Sequence, residues 1–139
     1  MATNASSKPG DIYLEFNGRD AYVEIPSLPD YSVNTTEELT ISAWLKPDTL
    51  NFPSVEGSSD YIHWLGKGER SGAEGNQEWA FLMYNHLDPS DSPSRPNRIS
   101  FYLFNPQSGL GVGSYVQVPI HKGRWIHIVG VADSSRTYL

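Results

Sequence analysis

With 139 residues, the chain reads as one domain, long enough to bury roughly two-thirds of its unfolded surface. A net charge of −6 argues against nucleic acid or anionic membrane as a partner, and the absence of cysteine excludes disulfides and thiolate metal or redox sites. No apolar run is long enough to span a bilayer, and the start, MATNASSKPG, lacks the apolar stretch of a signal segment.

Residues 1–10 read as a flexible linker and 11–139 as the folded domain. Ile12, Leu14 and Phe16 alternate with Tyr13 and Glu15, and after Asn17-Gly18-Arg19-Asp20 the residues Ala21, Val23 and Ile25 alternate with Tyr22 and Glu24. A period of two on both sides of an Asn-Gly turn predicts a hairpin, because this pair tolerates the positive φ of a tight turn. Leu39, Ile41, Ala43 and Leu45 then alternate with Thr40, Ser42, Trp44 and Lys46 until Pro47 ends the strand. Further strands are expected over 61–65, 78–84, 98–104, 115–118 and 125–132. No segment offers a helical stripe. Many short strands between clusters of Gly, Pro, Asn and Ser predict an all-β sandwich or barrel.

Two polar stretches rich in Pro and Ser, 48–59 and 87–97, read as long loops, either plain surface connections or the walls of a cleft. The sequons at Asn4 and Asn34 are of a kind that chance supplies often. The glycine-rich run 108–114 lacks the Lys-Ser/Thr ending and the following helix that a phosphate-binding loop requires.

Three segments in fixed order carry a resemblance: FNGRDAYVEIP (16–26), LTISAWLKP (39–47) and GRWIHIVGVAD (123–133), with IHWLGKG (62–68) between. In this they resemble the laminin-G-like domains, of the concanavalin-A-like lectin and glucanase jelly-roll type. The resemblance implies an antiparallel β-sandwich jelly roll. It also implies lectin-like or adhesive roles more often than catalysis, and commonly an extracellular setting within a larger protein. Complete members continue past the third segment with another hairpin and further strands, so the resemblance implies a domain incomplete at its C-terminus. A shortened chain, a continuation beyond this stretch, and strands supplied by partner chains are all open, the last through homo-oligomerisation or strand complementation at an open edge. Members often hold one calcium ion at a sandwich edge. Asn17 and Asp20 occupy the matching early loop and are the candidate ligands, although the same residues are ordinary turn formers.

Catalysis is not expected. A glycoside hydrolase needs paired carboxylates across the scissile bond. The nearest pair, Glu74 and Glu78, looks like a loop entering a strand, and the adjacent Glu37 and Glu38 would point to opposite faces. Four histidines (His63, His86, His121, His127) accompany no nucleophile signature.

A sugar-binding surface needs aromatic rings for stacking and amides or backbone groups for reading hydroxyls. Trp44 and Trp125 sit in the resemblance motifs and are expected in the core, which leaves Trp64 and Trp79 freer to bind. In the strand from Arg98 to Asn105, alternation puts Ser100, Tyr102 and Phe104 on one face and Ile99, Phe101 and Leu103 on the other. The candidate carbohydrate-binding residues are therefore Trp64, Trp79, Tyr84, Asn85, His86, Tyr102, Phe104, Asn105 and Tyr115, with Gln107 beside them. For any one of them, packing under a loop is the plain alternative. The expected function is a non-catalytic glycan-binding module. The alternative is a protein-interaction or structural adhesion domain that binds no glycan.

Overall fold

The computed structural model describes residues 3–5, 12–52, 61–68, 76–86, 95–105, 109–133 and 135–139; for 3–5 and 109–110 the backbone alone is described. The described strands are β1 (Thr3–Ala5), β2 (Tyr13–Glu15), β3 (Leu39–Leu45), β4 (Tyr61–Lys67), β5 (Trp79–Tyr84), β6 (Arg98–Asn105), β7 (Gly109–Gln117), β8 (Ile126–Ala132) and β9 (Thr137–Tyr138). β4-β5-β6-β7 form one antiparallel sheet and β3-β8-β9 a second, while β1 and β2 pair apart from both. The fold is an all-β antiparallel sandwich.

The register explains why the layers pack. Trp79, Phe81 and Met83 of β5 stand opposite Leu103, Phe101 and Ile99 of β6, and this row faces Ile41, Ile126, Ile128 and Ala132 of the second sheet. Phe81 and Phe101 stack with centroids 4.7 Å apart, and both side chains are fully buried. Across from them β8 carries Gly130, where a Cβ would come within 2.5 Å of the Phe81 ring. A glycine is needed there for the sheets to close on the two rings. Ser114 Oγ of β7 donates to the Thr137 carbonyl of β9 (2.6 Å), which ties the sheets along one side. Beside Leu139, an apolar cleft of about 390 Å³ opens onto the core between Ile99, Val116, Ile126 and Ile128.

The expected hairpin over 12–25 does not form. β2 pairs with β1, inside the stretch expected as a linker, and residues 21–28 are non-strand. The turn between them is built by a side chain instead. Asn17 Oδ1 accepts the backbone N–H of Arg19 (3.0 Å), Asp20 (3.2 Å) and Ala21 (3.1 Å), and Gly18 takes φ +67°. Ile12, Tyr22 and Ile25 are left about three-quarters exposed.

Two further expectations change. The last strand of the large sheet starts at Gly109 rather than Tyr115, because its glycines lie under the ring of Tyr102 and the backbone of Leu103. One helical turn, α1 (Val33–Thr36), also forms ahead of β3, ended by Glu37 in the left-handed conformation at φ 60°. A charged cluster anchors this turn. Glu78, at the entry to β5, accepts a hydrogen bond from Ser32 Oγ (2.7 Å) and pairs with Lys67 of β4. Burial pushes the Glu78 carboxyl up, but the hydrogen bonds from Lys67 and Ser32, with the Lys67 charge, outweigh it and hold the group below its ordinary value.

Candidate functional site

β5 pairs with β6 in continuous register, and β6 pairs with β7 with one shift, between Tyr102 and Phe104, so one phase of each strand shares the outer face of the large sheet. Tyr84, Tyr102, Phe104 and Tyr115 all occupy that phase. Tyr61 joins them from β4, opposite Tyr84, with centroids 5.3 Å apart. Tyr102 and Phe104 are half-buried neighbours, 6.3 Å between centroids. The Tyr102 ring lies on Gly113, where a Cβ would meet it at 2.4 Å.

Access grades across this face. Tyr84 and Leu82 are buried, Tyr102 and Phe104 are partly open, and Tyr115 is 56% exposed. Arg98 lays its guanidinium 3.9 Å from the Tyr115 ring centroid and donates from Nη2 to Gln117 Oε1 (3.0 Å). The result is an aromatic surface with a guanidinium against one ring and an amide at its rim. Ser100 lies in the same row, between Leu82 and Tyr115, fully buried and with no hydrogen-bond partner for its hydroxyl among the described residues. At the other end, Arg95 Nη1 donates to the Tyr84 hydroxyl (3.1 Å). Burial pushes the Tyr84 phenol above its ordinary value against that pull, so it stays neutral.

The other candidates separate from this face. Trp79 lies on the core side at 8% exposure, and Trp64 packs against Phe81 at 5.2 Å, so neither shares a surface with the tyrosines. Asn85 is buried, its Oδ1 accepting the Phe52 N–H (2.7 Å), and is spent on holding a loop. His86 is exposed and bonds Asn97 Oδ1 through Nδ1 (2.8 Å). Asn105 is exposed at the end of β6, and Gln107 lies outside the described residues. So do Glu74 and most of the two long loops.

Trp44 and Trp125, expected in the core, are instead 65% and 47% exposed. Trp44 stacks on His127 (4.7 Å, 20°) on the outer face of the small sheet, and Ser42 Oγ shares a 2.8 Å hydrogen bond with His127 Nε2. Trp125 meets Tyr13 edge-on at 5.7 Å. Arg98 and Gln117 were not among the sequence candidates. Arg98 is in phase with Ser100, Tyr102 and Phe104, and that alternation alone could have found it.

The calcium candidates sit in the side-chain-built turn. Asn17 directs Oδ1 at three N–H groups and donates from Nδ2 to Asp20 Oδ1 (2.7 Å), so one oxygen of each is already engaged by donors. As folded, the pair does not fit a calcium site, which needs six or more oxygens turned toward the ion. Among the described residues, no group of three or more His, Asp or Glu could hold a metal.

Comparison of the chain with protein-family models, curated proteins and solved structures finds no match.

Proposed function

We propose that the protein is a non-catalytic, lectin-like glycan-binding module of an extracellular protein, binding on the outer face of the large sheet. The observation that carries the reading is that Tyr102, Phe104 and Tyr115 share one sheet face, with Arg98 against the Tyr115 ring and Gln117 at the edge. Sugar rings stack their C–H faces on such aromatics, while guanidinium and amide groups read hydroxyls at the rim. The laminin-G-like motifs support the same reading, and a jelly-roll topology goes with it.

A calorimetric titration against a glycan panel tests it. Tyr115→Ala and Tyr102→Ala are each expected to weaken binding about tenfold, the scale of one well-stacked ring. Trp44→Ala, on the other sheet, leaves affinity unchanged. A chelator arm tests calcium, and no loss of binding is expected from it. Folded protein that binds no glycan on a broad panel sinks the reading. The second reading, a protein-interaction domain, is favoured by the exposed apolar residues Ile12, Tyr22, Val23 and Ile25, and would then take its place.

A further inference from the structure

We infer that β3 is a pairing edge for a second copy of this chain, forming a two-fold antiparallel dimer centred on Ser42. Among the described residues β3 has one strand neighbour, β8, and no described strand pairs with its other edge. Within the strand itself that edge carries none of the usual protection. Its register with β8 runs unbroken from Leu39 to Leu45, with no bulge, proline or charge inside the strand.

The residues flanking the strand point to the occupant. Glu38 precedes β3 and Lys46 follows it, both exposed, and both in the outward phase of Thr40, Ser42 and Trp44. If Ser42 faces Ser42 of a second copy, Glu38 of each chain falls directly opposite Lys46 of the other. Thr40 then faces Trp44, and Leu39 faces Leu45. Moving the axis to Ile41 sets Glu38 against Trp44, and moving it to Ala43 sets Glu38 against Asp48. A shift to an odd register would put inward residues opposite outward ones and turn the two cores to opposite sides. Only the Ser42-centred register makes both end pairs opposite in charge.

Both ends of the window also close. Pro47, which cannot donate, would face Glu37, whose left-handed backbone already turns the chain away. The two small sheets would join into six strands. Each copy brings Trp44 with its large exposed ring and Lys46, whose Nζ rests 5.6 Å from the Trp125 centroid. One strand edge is a small interface, so the dimer is expected to be weak and to form at micromolar concentration.

Sedimentation velocity of the full chain from about 1 to 200 µM, at an ionic strength of about 50 mM, tests this directly. A monomer–dimer equilibrium is expected. Glu38→Lys and Lys46→Glu should each weaken it on the order of tenfold, and the double variant should restore it to within about threefold. Circular dichroism melts should be unchanged for Glu38→Lys, which is exposed, and should fall by no more than a few degrees for Lys46→Glu, which loses the contacts of Lys46 Nζ with Tyr13 and Trp125.

A second arm uses the absence of cysteine. Ser42→Cys is expected to cross-link to itself on oxidation, since directly paired antiparallel residues bring Cα atoms to about 4.5–5.5 Å. Thr40→Cys, which faces Trp44, should not. A monomer throughout, or association indifferent to both charge reversals, overturns the proposal. So does a double variant that stays weak, or a Thr40→Cys variant that cross-links as readily as Ser42→Cys.

Discussion

Glu78 shows how one carboxylate can join three elements. It receives Ser32 from the approach to α1 and Lys67 from β4 while standing at the mouth of β5, with only 12% of its side chain exposed. Glu78→Gln keeps the shape but removes the charge that Lys67 balances. The expected cost is about 2 kcal/mol at neutral pH, read by urea unfolding. Because the folded carboxyl titrates below its ordinary value, its stabilisation is present above that ordinary value and fades as pH falls through the folded one. Wild type and variant should therefore converge as pH falls below the ordinary carboxylate range, whereas a constant gap would contradict this account. Asp133 works on the same principle at the surface. Its Oδ1 accepts the N–H groups of Ser135 (2.8 Å) and Arg136 (2.7 Å), shaping the turn into β9, and these bonds lower its pKa.

At the scale of elements, the sandwich depends on how closely β8 approaches β5 and β6. Gly130→Ala puts a methyl group against the Phe81 and Phe101 rings, and the overpacking is expected to cost about 1–3 kcal/mol in a thermal melt. Phe101→Ala, which leaves a cavity under the same contact, is expected to cost about 3–5 kcal/mol. An unchanged melt for either would mean that the sheets do not close on these rings. The strands of this core were readable beforehand. β3 has the limits that its alternation and Pro47 predict, and β6 and β8 differ from expectation by one residue each. The first part of β7, ahead of Tyr115, was hidden because glycine carries no pattern, and only the Tyr102 ring lying over Gly113 explains why small residues belong there. The hairpin over 12–25 failed for another reason. Alternation shows that a segment could be a strand, not that an edge is waiting for it, and the partner of β2 came from a stretch with no apolar signal.

For the molecule as a whole, the two sheets share one core, in which Ile128 and Ala132 of the small sheet pack with Phe81 and Phe101 of the large one. Unfolding is accordingly expected to be a single cooperative step, with tryptophan fluorescence and far-ultraviolet dichroism giving coincident urea transitions. Separate midpoints would mean that each sheet is stable by itself. The candidate site was legible in part at this scale. Strand phase brought Tyr84, Tyr102, Phe104 and Tyr115 to one face, which is geometry that a sequence encodes directly. The tryptophans were misjudged because period-two alternation defines two faces without telling which one meets the other sheet. Trp44 shares a strand with half-buried, inward-facing Leu39 and Leu45 yet points outward, whereas Trp79 points inward.

The turn at Asn17 also sets how the protein ages. An asparagine followed by glycine is the pair most prone to spontaneous succinimide formation, because the unhindered N–H that follows can attack the side-chain amide. Here that amide is pinned at both ends, its oxygen by three backbone N–H groups and its nitrogen by Asp20. Deamidation at Asn17 should therefore be slow in the native chain and fast once this turn opens. The isoaspartate that accumulates in stored protein then becomes a chemical clock for the time this corner of the molecule spends unfolded.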